Sequence, residues 1–272
     1  MAPPGTRRQV ISLLDNLNSD RIKQVRALGR ASVRRQRGLV LVEGPNPSRE
    51  AAKEGLVTDL YTTEACAQRH AEVVRLVEAG GGYVHMASGP YVEKISRAGQ
   101  GMVALARWRS ASWPSSAALV AVFDQIADPG NAGTVIRVAN AIAVDLVVFT
   151  AGSVDPSSPK VVRSSAGSLF RVPVLAGAAV GDAAWVLAEL RQRNCQVLAA
   201  DPRGRLGLGQ LDDSLLQRPT AWLFGNEAHG LTAAMLAQCD LTVRIEMPGD
   251  SESLNLATAA ALVLYGHSAK RP

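Results

Sequence analysis

The chain has 272 residues, 47% hydrophobic and 19% charged, enough apolar material for a sizeable core in one large α/β domain or two smaller ones. Its net charge of +5 is compatible with a polyanionic partner but does not by itself require one, while no apolar run is long enough to cross a bilayer. Cys66, Cys195 and Cys239 are odd in number and widely spaced, so neither a disulfide framework nor a zinc site is indicated and a reducing cytoplasm fits.

The start, MAPPGTRRQVISLLDNL, carries basic residues without a sustained apolar segment or small-residue cleavage site behind them. It reads as a mobile, non-cleaved start. From 19 to 37, Ile22, Val25 and Leu28 form an apolar stripe at helical spacing. Arg21, Lys23, Arg26, Arg30, Arg34, Arg35 and Arg37 surround it. Such a run is either a solvated helix face or a contact surface for a phosphate backbone. Aromatic residues make up 4% of the chain, so stacking platforms for single strands are not prominent.

GLVLVEG (38–44) predicts a buried strand, PNPSREAAKEG a short helix, VTDLYTT a strand and 65–79 a helix. YVHMA, a helix near 89–98 and GMVALARW complete a β/α unit. RSASWPSSA (109–117) is the linker candidate. The alternation then restarts with strand AALVAVF, helix 130–143, strand DLVVFT, helix SPKVVRSSAGSLF and strand VPVL. A helix over 181–193, strands CQVLAA and TAWLF, helix LTAAMLAQC, strand LTVRIEM and a final helix SLNLATAAALVLYGH follow. Strands alternating with helices predict a mostly parallel sheet covered on both faces, with ligands beyond the carboxyl ends of the strands.

Three stretches carry candidate chemistry. In FDQIADPGNAGTVIRVANA, Asp128–Gly130 predict a turn, Asn131 is placed to cap a helix, and Arg137 lies about one and a half turns further on. In LFGNEAHGL, Gly225 and Gly230 bracket Glu227. The glycines suggest a phosphate cradle, but the carboxylate argues against an anionic ligand. His229 has no partnered nucleophile and reads as polar surface. In IEMPGDSESLNLATAAALVLY, Pro248 and Gly249 predict a turn, the serines offer caps, and a small-residue helix follows that suits close packing. The G-x-G-x-x-G dinucleotide fingerprint is absent, which weakens a nucleotide-dependent oxidoreductase reading.

These three stretches, in this order and spacing, resemble the motifs of the SpoU/TrmH-type RNA ribose methyltransferases of the SPOUT superfamily. VDPSSPKVVRSSAGSLFRVPV matches the pattern between them, and LVEGPNPSREAAKEG resembles the small RNA-binding domain that precedes many members. ISRAGQGMVAL departs from the family's turn there. The resemblance implies an α/β fold. Residues 1–108 would form an N-terminal extension and small α/β RNA-binding domain, 109–117 a linker, and 118–272 a domain with a parallel sheet and a deep trefoil knot. It implies S-adenosylmethionine as cofactor and a homodimer with no metal.

By motif, Asn131, Arg137, Glu227, Ser253 and Asn255 fall at catalytic or site-organising positions. Leu223, Gly225, Asn226, Gly230, Ile245, Met247 and Leu254 fall at cofactor-binding positions. Arg30, Arg34 and Arg35 are the RNA-contact candidates. A sulfonium cofactor is cationic, so Glu227 does not repel it as it would a pyrophosphate. A guanidinium is a poor proton acceptor, so Arg137 is expected to hold a phosphate and stabilise charge developing on oxygen. The implied activity is 2′-O-methylation of a ribose, first in 23S ribosomal RNA and second in transfer RNA, and the resemblance also allows a role in antibiotic resistance. The rival is a non-catalytic RNA-binding or ribosome-assembly factor on the same fold.

Overall fold

The computed structural model describes residues 13–250 and 253–270. Most of the expected mobile start, and Ser251 among the expected caps, lie outside them. Leu14 is inside and pinned: its N–H donates to Met86 O (2.8 Å) and its carbonyl accepts from Ser88 N (2.9 Å). The chain divides into two compact units, Met1–Arg107 and Trp108–Pro272.

The first unit runs α1 (Asp20–Arg26), α2 (Ala31–Arg37), β1 (Leu39–Glu43), α3 (Pro45–Lys53) and β2 (Val57–Thr62). It continues through α4 (Glu64–Arg69), α5 (Ala71–Ala79), β3 (Tyr83–Met86), α6 (Gly89–Ile95) and β4 (Met102–Arg107). Its sheet has the order β1-β4-β2-β3. Only β2 and β3 pair in parallel; β4 is antiparallel to both its neighbours, so this sheet is mixed rather than mostly parallel. The single helix expected over 19–37 is two. A 3-10 turn at Ala27–Gly29 and an extended Arg30 (φ −88°, ψ 129°) separate them. The bend lets Ile22, Val25 and Leu28 enter the core that contains Tyr61, Tyr91 and Leu105. The helix expected over 65–79 likewise breaks at His70 (φ −119°, ψ 42°).

The second unit runs β5 (Leu119–Phe123), α7 (Pro129–Ala141), β6 (Leu146–Phe149), α8 (Pro159–Ser164), β7 (Val174–Leu175) and α9 (Ala183–Gln192). There follow β8 (Gln196–Ala200), β9 (Leu206–Gly207), α10 (Asp213–Leu216), β10 (Thr220–Phe224), α11 (Ala233–Leu236), β11 (Leu241–Arg244) and α12 (Leu256–Ser268). All its paired strands are parallel, in the order β7-β6-β5-β10-β8-β11-β9. β5, β6 and β10 are buried at every residue, which explains their unbroken apolar runs. Alternate side chains such as Val120, Val122, Ala221 and Leu223 join Val186, Leu187 and Leu190 of α9. Trp222 takes the other face and donates from Nε1 to buried His267 Nδ1 of α12 at 3.2 Å.

The expected linker, 109–117, is tied to this unit. Ala111 N donates to Val174 O (2.8 Å), Ser110 Oγ accepts from Ala176 N (2.9 Å), and Arg193 lies 4.8 Å over the Trp113 ring. Helix α8 is shorter than its sequence pattern suggests, because Ala166 (φ 50°) and Gly167 (φ 94°) turn the chain into a left-handed bend. No described helix is long and apolar enough to cross a membrane.

Candidate active site

β10 lies between β5 and β8 in the sheet. The chain passes from β5 outward to β6 and β7, then returns to β8 on the far side of β10. Such a reversal of strand order opens a crevice at the carboxyl ends, where ligands of parallel sheets sit. A cavity of about 600 Å³ occurs there, walled by the ends of β8, β10 and β11, the start of α12, and Asn131 of α7. That volume suits a nucleoside-sized ligand.

The loop after β10 is folded on itself. Gly230 (φ 64°) donates to Asn226 O at 2.9 Å, and Asn226 Oδ1 accepts from Ala228 N (2.8 Å) and His229 N (3.3 Å). Asn226 Nδ2 ties the loop to Gln125 O at 2.7 Å. These amides are therefore spent internally, which removes the anion cradle that the glycines suggested. Gly225 is required by contact: a Cβ there would collide with the Gly230 carbonyl carbon and come within 2.6 Å of Leu231 N.

Glu227 reaches across to the start of α7. Its Oε2 accepts from Ala127 N (3.2 Å), and its Oε1 accepts from Asp128 N (3.2 Å) and Asn131 Nδ2 (3.1 Å). Asn131 Oδ1 accepts in turn from Asn255 Nδ2 at 2.9 Å. Asn255 caps α12, with Oδ1 accepting from Ala257 N (2.9 Å) and Thr258 N (3.3 Å). Asp128 caps α7 through Asn131 N at 2.8 Å, the place in that helix expected for Asn131. Asn131 is thereby free to join the loops by its side chain. Burial raises the Glu227 carboxyl, but the bonds from Asn131 and from the backbone more than offset it, leaving it below the ordinary value of 4.5. Every one of these donors is neutral, so the ionised carboxylate keeps its full charge.

Of the residues singled out in the sequence, Asn131, Glu227, Ser253 and Asn255 line the crevice, together with Gly225, Asn226, Gly230, Ile245, Met247 and Leu254. Leu223 does not: it is fully buried beneath, in the core shared with α9. Strand alternation explains this, because its side chain points into the sheet's packed face. Arg137 is exposed on α7 beside Thr134 and is also not a wall of the crevice. Arg30 and Arg35 are exposed, whereas Arg34 is 4% exposed. Its Nη1 donates to Leu28 O (2.9 Å) and Gly29 O (2.8 Å). It satisfies the carbonyls freed by the break between α1 and α2 and is not available to RNA, contrary to the sequence expectation.

One charged wall residue escaped the sequence reading. Asp201, just past β8, is 5% exposed. Its Oδ1 accepts from Arg203 N (2.8 Å) and Arg203 Nε (3.1 Å), and its Oδ2 from Arg203 Nη2 (3.2 Å). Burial raises this carboxyl, and the Arg203 bonds more than offset it, leaving it below its ordinary value. The available signal was an acidic residue ending an apolar strand before Pro-Arg-Gly. No cluster of metal-binding side chains occurs among the described residues.

The profile of the SpoU rRNA Methylase family matches residues 118–265. An uncharacterized tRNA/rRNA methyltransferase of Synechocystis is 32% identical over 263 residues, covering 94% of this chain and 93% of that protein. The 23S rRNA (uridine(2479)-2′-O)-methyltransferase of Streptomyces viridochromogenes is 38% identical over 146 residues, 53% of this chain and about half of its own length. The crystal structure of the SpoU methyltransferase AviRb from Streptomyces viridochromogenes, in complex with AdoMet, superposes with a TM-score of 0.79. It has 28% sequence identity and covers 93% of this chain and 98% of that one.

Proposed function

Because this chain belongs to the SpoU rRNA methylase family, we propose that it methylates a ribose 2′-oxygen in 23S ribosomal RNA from S-adenosylmethionine. The observation that carries this reading is the Asn255–Asn131–Glu227 chain at the mouth of the crevice. The cavity's volume and its apolar walls, Ile245, Met247 and Leu254 among them, fit an adenosine-sized ligand. The Glu227 charge, opposed only by neutral donors, fits a cationic one.

S-adenosylmethionine supplies a methyl group on a positively charged sulfur: as the ribose oxygen bonds to the methyl carbon, the carbon–sulfur bond breaks, its electrons stay on sulfur, and the hydroxyl proton leaves to an acceptor. The chain's own residues order and polarise the site. Glu227 locks the loop after β10 to the start of α7, and Asn255 fixes the amide of Asn131, so the polar edge is set before RNA arrives. Arg137, outside the crevice, is assigned to the phosphate beside the target ribose and to charge developing on its oxygen. The basic exposed side chains of α1, of α2 and of the break between them, Arg30 and Arg35 included, are assigned to RNA contact.

A homodimer belongs to the same reading. Leu262 (44% exposed) and Tyr265 (67% exposed) give α12 an apolar outer face, and α12 packs on the helix that carries Arg137. A second copy covering α12 would bring further groups towards Arg137. The trefoil knot in the segment holding the loops after β10 and β11, and a cytoplasmic site of action, complete the proposal. Transfer RNA is the second substrate reading, supported by the naming of the Synechocystis relative for both RNAs.

The test is methyl transfer from labelled S-adenosylmethionine to total RNA of a strain lacking the gene, with methylated riboses mapped by their resistance to alkaline cleavage. One new 2′-O-methyl mark in 23S RNA is expected. A mark in transfer RNA alone would select the second substrate. Binding of S-adenosylhomocysteine with no transfer to any RNA would instead establish a non-catalytic factor.

A further inference from the structure

The crevice holds two carboxylates on neighbouring strand ends, and they are charge-balanced in opposite ways. Ala200 and Phe224 are partners in the parallel pairing of β8 with β10. Asp201 follows the first of them and Glu227 lies in the loop after the second. Glu227 is held by amides alone. Asp201 is held by a guanidinium fork and a backbone N–H from the same arginine. A carboxylate offers about four acceptor positions. Arg203 fills three on Asp201, leaving one on Oδ2.

This difference decides what each can take. A cation gains little beside Asp201, because Arg203 already neutralises it and would repel a second positive group. A neutral hydroxyl suits it: the donor adds a charge-assisted bond to the open position without displacing Arg203. The cationic end of a ligand is drawn to Glu227, whose charge is uncompensated. A vicinal diol places two hydroxyl donors within reach of one carboxylate edge, the arrangement by which acidic residues at strand ends hold the ribose of nucleotides. Arg203, with 76% of its side chain exposed, is a positioning residue that fixes the carboxylate's rotation.

We infer that Asp201 binds a ribose hydroxyl of the adenosyl group, so that the methyl donor lies with its sugar at the end of β8 and its sulfonium towards Glu227. This inference rests on the cofactor reading above and adds to it a residue and an orientation.

The test is calorimetric binding of S-adenosylhomocysteine and its 2′-deoxy and 3′-deoxy analogues to the full chain and to Asp201→Asn. In the wild-type protein, removing one of the two hydroxyls should weaken binding about tenfold, the scale of a hydrogen bond to a charged group. Asp201→Asn should weaken S-adenosylhomocysteine by a similar factor and show little further loss with that same analogue. Equal deoxy penalties in both proteins would overturn the assignment, as would wild-type binding indifferent to both hydroxyls. The wild-type series needs no variant and stands even where Asp201→Asn unfolds. No binding of S-adenosylhomocysteine to the wild-type chain would overturn the cofactor reading itself. Normal binding with the wrong deoxy pattern overturns only the role of Asp201.

Discussion

Asn255 Nδ2 donates to Asn131 Oδ1 at 2.9 Å, joining the cap of α12 to the first turn of α7 across 124 residues of chain. Asn255 thus does two jobs with its two amide atoms, and they are separable. An aspartate side chain in its place would keep the Oδ1 cap on Ala257 and Thr258 but has no donor for Asn131. Whichever way the Asn131 amide then turns, one acceptor meets another. Asn255→Asp is expected to lower turnover about a hundredfold, the scale of losing one preorganised donor, with the unfolding temperature little changed. Asn255→Ala should lose both, adding about 1 kcal/mol of destabilisation from the missing cap. Unchanged turnover in the aspartate variant would detach this pair from catalysis.

Glu227→Gln should weaken S-adenosylmethionine about tenfold, since the charge that faces its sulfonium becomes a neutral amide, and should lower turnover with it, while S-adenosylhomocysteine, whose sulfur is uncharged, should lose less. The variant also sets a pH test. The Glu227 carboxyl titrates below its ordinary value of 4.5, so its contribution to stability is fully present above that value. It is lost as pH falls through the folded-state value. The stability difference between wild type and Glu227→Gln, from urea melts over a pH series, should be constant near neutrality and shrink on the acid side of 4.5. A difference that grew with acid would contradict the sign of this argument.

Arg137 is outside the crevice, so its loss should spare the cofactor. Arg137→Lys is expected to reduce single-turnover methylation about a hundredfold while S-adenosylhomocysteine binds with wild-type affinity, because lysine keeps the charge but not the two-pronged phosphate grip. Wild-type rates would reassign this arginine to plain surface.

Arg30, Arg34 and Arg35 should separate into two classes. Replacing Arg30 and Arg35 together by alanine should weaken RNA binding and reduce the slope of log affinity against log salt by about 1.8, if each meets one phosphate. Arg34→Ala should leave that slope alone and destabilise the chain by about 2 kcal/mol, because Leu28 and Gly29 lose buried, charge-assisted partners. A filter-binding salt titration and a thermal melt on each variant check both halves. A changed salt slope in Arg34→Ala would show that this side chain leaves its pocket.

The residues themselves made much of the second unit legible. Unbroken apolar runs such as LVAVF and TAWLF belong to strands buried on both faces, and the glycines and asparagines of the motifs mark the turns that build the crevice. Where the reading failed, the missing information was a neighbour distant in the chain. Arg34 and Arg35 look alike in sequence, but a 3-10 turn at Ala27–Gly29 leaves carbonyls that only Arg34 meets. Leu223 and Gly225 are two residues apart, yet Leu223 faces α9 while Gly225 reaches the cavity.

Local chemistry alone determined that this is an α/β chain with three turn-and-cap loops after strands, because apolar period, turn residues and caps act over a few positions; that those loops face a ligand was implied by the family resemblance of their motifs. Only the tertiary structure decided which polar groups share a charge. Glu227 meets Asn131, Asn131 meets Asn255, and Asp201 comes to the same cavity from another strand end. Whether a carboxylate holds a cation or a hydroxyl depends on the donors within about 3 Å of it, and at this site strand order supplies neighbours that sequence spacing does not.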